Sequence, residues 1–337
     1  MTQGPTHHPG RHTSYSKLRI LYVTSNTTVA FQIINQGVIE SFHSVVREIR
    51  VINAKKLNVL NTALEMKPDL VLFISGNVIR VDELQELRKR NIKSAVWYTD
   101  NPYNTDFIAE TAPHYDFVFT TEIACLSFFH LIGCSRVHLL PLAANTRVFY
   151  PNPPGAQKII DICFIGSAWS NRIQLIDQLA SYLYNKNVFI AGPGWDRLAH
   201  YNQLSGKIHN DALEMHVTRA YIAKSKIVIN SHRAYNESFD TLNSRMIYAH
   251  SANPRVFEIC ATESFQLSDN RADLDRCYKV GSELDTYENA QDLIHKIKYY
   301  LAHENIRREI ASNGLKRTLK EHTYPHRIKE ILSIVFD

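Results

Sequence analysis

The chain has 337 residues, a length whose prior is two domains. Hydrophobic residues make up 45% and charged residues 21%, the balance of an ordinary globular protein with buried cores. The net charge of +5 is spread out, and its longest basic run is Arg88-Lys89-Arg90, too sparse for a nucleic-acid footprint. No apolar stretch reaches the length of a membrane span.

In chain order, residues 1–16 are polar, with three His, and lack a signal peptide's apolar core; a disordered tail is expected. Short apolar runs then alternate with amphipathic stretches. Strands are expected at 18–24, 45–53, 69–75, 93–99, 116–120 and 137–140. Helices are expected at 28–43, 55–66, 81–90 and 122–132. Residues 141–157 carry four prolines and no period, the best linker in the chain. The alternation restarts with strands at 159–165, 187–191, 226–230, 265–267 and 278–280. Helices are expected at 171–185, 211–223 and from Pro254, and the end is helical over 286–302, 304–320 and 324–335. The fold class is therefore α/β, with two Rossmann-like parallel sheets facing a cleft. Expected boundaries are 17–145 for a first domain, 146–322 for a second, ligand-holding domain, and 323–337 for a helix able to cross back.

The chemistry-bearing residues cluster after expected strands, where ligands bind in such sheets. Gly166-Ser167 ends a strand and leads to Arg172 at a helix start. Backbone N–H groups there can meet a phosphate, and Arg172 can add a bidentate contact. A plain tight turn explains the glycine equally well. Gly192-Pro193-Gly194-Trp195 follows the next strand, as a cleft-lining loop or as a turn with Trp195 capping a core edge. His232 follows 226–230, placed for a phosphate or a sugar hydroxyl, or simply as a satisfied surface histidine. In Asn253-Pro254-Arg255-Val256-Phe257-Glu258, Asn253 is a good N-cap and Pro254 fits the first helical position. Arg255 and Glu258 share a face at the helix's positive end: Arg255 suits a diphosphate, Glu258 a ribose diol, and the two suit an intrahelical ion pair equally well. Asp100, after 93–99, is the candidate general base, or else opens an Asx turn at Asp-Asn-Pro. Thr24-Ser25-Asn26 is a further cleft candidate. Five cysteines, an odd number without a C-x-x-C pair, fit free thiols in the cytoplasm.

The runs NPRVFEICATESFQLSDNRADLDRCY and YENAQDLIHKIKYYLAHENIRREIASNGLKRTLKEHTYPHR resemble the CgeB-like, or spore-protein-like, branch of glycosyltransferases, as do DICFIGSAWSNR and PLAANTRVFYP upstream. The branch is related to the family 1/4 C-terminal domain, and the likeness covers most of 95–330. It implies a GT-B fold and a nucleotide-sugar donor, usually a UDP-sugar, held by the C-domain. Gly166 and Arg172 match the first phosphate-side loop, Arg255 the phosphate-facing arginine, and Glu258 the ribose-holding glutamate. Enzymes of this fold generally need no bound metal. Two positions depart from the pattern. His250 stands where retaining relatives carry a second Glu, and Ala261-Thr262-Glu263-Ser264 replaces a Cys-Gly pair, which would put Glu263 near the donor pocket.

The expectation is a UDP-sugar-dependent glycosyltransferase acting on an unidentified acceptor, with donor contacts from Gly166, Ser167, Arg172, Gly194, His232, Arg255 and Glu258, and Asp100 as base. No metal is assigned. The alternative is a catalytically reduced GT-B protein serving as a binding or spore-surface component, motivated by His250 and Glu263.

Overall fold

The computed structural model describes residues 15–24, 29–75, 79–237 and 241–337. Residues 1–14 of the expected tail, and Ser25 and Asn26, lie outside the described residues. Thr24 is buried, with its hydroxyl on the Ile52 carbonyl at 3.3 Å.

Six parallel strands form the first sheet: β1 (Arg19–Thr24), β2 (Glu48–Asn53), β3 (Leu70–Ile74), β4 (Lys93–Tyr98), β5 (Phe117–Thr120) and β6 (Val137–Leu139). Their order is β2-β1-β3-β4-β5-β6. β3 shows why the runs are continuously apolar: Leu70, Leu72 and Ile74 enter the core on one face, Val71 and Phe73 the core on the other. Helices cover both faces, so neither side of a strand may be polar.

The second sheet holds β7 (Ile160–Ile165), β8 (Val188–Ala191), β9 (Ile208–His209), β10 (Ser225–Asn230), β11 (Gln266–Asp269) and β12 (Asp285–Tyr287), in the order β12-β11-β10-β7-β8-β9. From β7 the chain builds outward to β9, then returns to the other side of β7 as β10. That reversal is a topological switch point, where the loops after β7 and β10 part and leave a crevice.

Two expected elements differ. Residues 278–280 form no strand: Gly281, at φ +80, turns the chain so that its N–H bonds the Leu284 carbonyl at 2.7 Å, and Val280 meets Leu284 in a single bridge. The outer strand is β12 instead, which delays the next helix to Ala290–Ala302. The helix expected from 211 begins at Met215, after the loop in which Asn210 accepts the Trp195 N–H at 2.7 Å.

The last helix, Tyr324–Phe336, packs on the first sheet. Tyr324, Ile328, Ile331, Leu332 and Val335 are buried in the core that holds Ile20, Val38 and Trp97. Gly37, on the helix Val29–His43, permits the approach: a Cβ there would lie 2.3 Å from the Tyr324 ring. The chain therefore crosses between the sheets twice, and the crossings touch. Ala144 pairs with Thr323, and its N–H bonds the His322 carbonyl at 2.9 Å. The buried Arg327 guanidinium ties them further, donating to the Pro141 carbonyl at 2.8 Å and the Glu321 carbonyl at 3.0 Å. No helix among the described residues is long and apolar enough to cross a membrane.

Candidate functional site

A pocket of about 320 Å³ opens at the carboxyl ends of β7 and β10, a volume in the range of small-molecule sites. The turn after β7 gives Gly166 and Ser167, the turn after β8 gives Gly192 and Pro193, and the end of β10 gives Asn230 and Ser231. Gly192 sits at φ +135, and a Cβ there would lie 2.2 Å from the Gly166 carbonyl oxygen, so only glycine lets these two turns press together. Gly194 is not among the lining residues. It adopts φ +87 just before Trp195, which is fully buried and packs edge-on against Phe164. The Trp195 indole N–H donates to the Gly166 carbonyl at 2.9 Å. Of the two expectations for this loop, the core edge describes Trp195, while Gly192 and Pro193 face the crevice.

The helix Pro254–Ala261 aims its first turn into the pocket. Asn253 caps it, its side-chain oxygen accepting the Val256 N–H at 3.2 Å, with Pro254 at the first helical position. Arg255 and Glu258 both line the pocket and lie 2.6 Å apart as an ion pair. Burial raises the Glu258 carboxyl above its ordinary value, and Arg255 opposes that rise. The two expectations for this pair thus coincide in space.

Arg172 lies between this pocket and a second of about 250 Å³, and lines both. Its Nε donates to the Ser231 carbonyl at 2.8 Å and one terminal nitrogen to the Ser167 carbonyl at 3.0 Å, tying the loops after β7 and β10 together. Burial pushes it down to about 10, so it remains a cation at neutral pH. The start of its helix, Ser170–Tyr184, is occupied from within: Glu237 accepts the Ser170 N–H at 2.8 Å and hydroxyl at 2.5 Å. The start of the helix Pro254–Ala261 is capped by Asn253 alone among the described side chains, and it turns Pro254 and Arg255 to the pocket.

His232 is buried and lines the second pocket, but both ring nitrogens are engaged. Nε2 accepts the Asn253 N–H at 3.0 Å, which fixes the proton on Nδ1, 2.5 Å from Asp269. A direct ligand contact through this ring would require breaking one of those bonds. His232 instead anchors the N-cap of the helix bearing Arg255 and Glu258.

The second pocket brings Asp100 and Glu122 from the first sheet opposite Trp169, Arg172 and Arg233 from the second. Asp100 is exposed and opens a turn, its carbonyl accepting the Tyr103 N–H at 3.0 Å, with a cis Asn101–Pro102 bond following. The Arg233 guanidinium lies over Tyr103 at 4.4 Å and Trp169 at 4.0 Å, one ring from each half of the chain. Glu122 was not anticipated. Its buried carboxylate accepts the N–H groups of Ala124, His250 and Ser251, each at 3.0 Å, and so latches the segment before Pro254 onto the first half. Its position just past β5 is the one signal the sequence offered. Glu122→Gln keeps the shape but offers one acceptor where the carboxylate offered two. It should cost about 1–3 kcal/mol, read as a lower denaturant midpoint.

The two positions that depart from the family pattern lie away from the pocket that Arg255 and Glu258 line. His250 uses its backbone N–H on Glu122 and stacks its ring on Tyr248, 5.8 Å between centroids. Glu263 lies past the far end of the helix Pro254–Ala261, in a different cavity. The expectation that Glu263 stands beside Arg255 and Glu258 is corrected: the helix separates it from both.

Two Rossmann-like units with a crevice between them define the GT-B architecture, and solved structures share it. A sucrose-phosphate synthase from Thermosynechococcus elongatus aligns over 94% of this chain and 98% of its own, with TM-score 0.63 and 10% identity. HepE from Anabaena, in complex with UDP-glucose, aligns over 94% and 99%, with TM-score 0.63 and 12% identity. Residues 172–333 match the glycosyl transferase-like family. In sequence the chain is similar to the spore protein CgeB of Bacillus subtilis, 25% identical over 321 residues, covering 93% of this chain and 98% of that protein. The resemblance drawn from the C-terminal motifs is borne out as a similarity: residues 172–333 match the glycosyl transferase-like family, and the chain has the GT-B fold.

Proposed function

We propose that the protein transfers a sugar from a nucleotide sugar, of which a UDP-sugar is the best fit, to an acceptor entering from the first-sheet side. The observation that carries this is the pocket at the β7/β10 switch point, where the first turn of Pro254–Ala261 presents Arg255 and Glu258 together. Arg255, the N–H groups near Gly166 and Ser167, and Arg172 meet the diphosphate charge. Glu258 meets the ribose diol, since a carboxylate accepts two hydroxyl bonds. Binding exchanges the Arg255–Glu258 pair for one ligand contact each. A solved GT-B neighbour holding UDP-glucose supports the donor class. Asp100, across the second pocket, is the base if the transfer inverts configuration; if it retains configuration, Asp100 positions the acceptor.

Calorimetry with UDP, and hydrolysis assays over a panel of UDP-, GDP- and TDP-sugars, test the reading. Arg255→Ala should weaken UDP binding by about 1.5–3 kcal/mol, the worth of a charged hydrogen bond. Unchanged affinity in a folded variant removes Arg255 from the site, and absence of nucleotide binding sinks the enzyme reading. Nucleotide binding without hydrolysis or transfer of any sugar would instead favour the catalytically reduced alternative.

A further inference from the structure

A cavity of about 520 Å³ lies at the amino-terminal edge of the second sheet, the edge opposite the donor-side pocket. Its wall is the loop 152–158, and the chain just before β7, β10 and β11 lines it through Lys158, Ala223 and Phe265. Four cations face it: Lys158, Lys226, Arg307 and Arg308, against two carboxylates, Glu263 and Glu304.

Two of these cations are compensated. Lys226 pairs with Asp161 at 2.7 Å, and Arg308 with Glu304 at 2.5 Å. Lys158 and Arg307 form no such close pair, although Glu263 acts on the first and Glu304 on the second from further away. Lys158 donates only to neutral acceptors, the Ala223 carbonyl at 3.1 Å and the Ser264 hydroxyl at 3.3 Å. Arg307 is buried and donates to the Tyr300 carbonyl. Among the described residues neither has a carboxylate oxygen within 4.0 Å. The accepting carbonyls of Ala223 and Tyr300 lie at the ends of the helices Met215–Ala223 and Ala290–Ala302. A helix end carries about half a charge, so these offset part of two full cations and leave the rest. Lys158 reports the imbalance: burial and the nearby arginines outweigh Glu263 and push its ammonium down to about 8. Glu263 itself is held at φ +54, a left-handed conformation rare for a residue with a side chain, at the cavity wall.

We propose that this cavity binds a small organic phosphate, at a site separate from the donor pocket. A phosphate matches the Lys158 ammonium, from the segment before β7, and the guanidinium groups of Arg307 and Arg308, neighbours on the helix Glu304–Glu321, because guanidinium forks bond its oxygens in pairs; Arg308 would exchange its exposed pair with Glu304 for the phosphate. The cavity is larger than a bare anion needs, and Phe265 and Ala311 give it an apolar floor for the rest of the molecule. The site stands whether or not the transfer reading does.

The full chain is titrated calorimetrically with ribose 5-phosphate, inorganic phosphate and free ribose. Saturable binding of ribose 5-phosphate is expected, at least tenfold weaker in Lys158→Gln and in Arg308→Gln. Arg308 is mostly exposed, so its variant tests the site even if Lys158→Gln fails to fold. Ribose 5-phosphate should also slow the labelling of Lys158 by an amine reagent. No saturable binding in the wild type, or equal binding of free ribose, overturns the proposal. Loss in Arg255→Ala with Lys158→Gln unaffected also overturns it, since the phosphate would then sit in the donor pocket.

Discussion

A chain ending at His322 should fail to fold. The missing helix buries Tyr324, Ile328, Ile331, Leu332 and Val335 in the core of the first sheet. At about 1.5–3 kcal/mol for each buried apolar side chain, the five contribute roughly 8–15 kcal/mol, as much as the whole stability of a typical domain. The lost Arg327 bonds to the crossing at Pro141 and Leu142 add to this. Expression of the truncated chain should yield aggregate, and any soluble fraction should show no cooperative thermal transition. A soluble truncated protein with a sharp melt would mean that the helix only rests on the first sheet.

In an inverting transfer, Asp100→Asn should lower kcat by about 10²–10⁴-fold, the range for loss of a general base, while UDP affinity stays at the wild-type value. The split follows from the geometry: Asp100 lines the second pocket, while Arg255 and Glu258 line the first. A retaining transfer predicts a different signature, a raised acceptor KM with kcat nearly kept. Steady-state kinetics with a transferable acceptor separate the two. Wild-type values for both constants would remove Asp100 from the site.

The strands were the most legible part of the sequence. Runs such as Leu70–Ile74 are apolar at every position because both faces are covered, and short runs of that kind between breakers have few other readings. The cap at Asn253-Pro254 and the i, i+3 pair Arg255–Glu258 were legible because capping and helix spacing are local rules. β9 was not, because two residues carry no period. The roles of Glu122 and His232 were hidden for a different reason. Glu122 meets N–H groups 128 and 129 residues away, and the His232 tautomer is set by Asn253 and Asp269 together. Nothing local announces such partners. Glu263 was misplaced because the sequence gives its distance along the chain from Arg255, while the helix puts the two at opposite ends.

The paired crossing at Ala144 and Thr323 constrains how the two halves can move. One linking segment allows a half to swivel about it as well as to bend. Two segments side by side, joined by the Ala144–His322 bond and the Arg327 guanidinium, act like the two leaves of a door hinge. Twisting would shear that bond, while opening leaves it intact. Opening of the crevice should therefore follow one arc, with little twist of one half against the other.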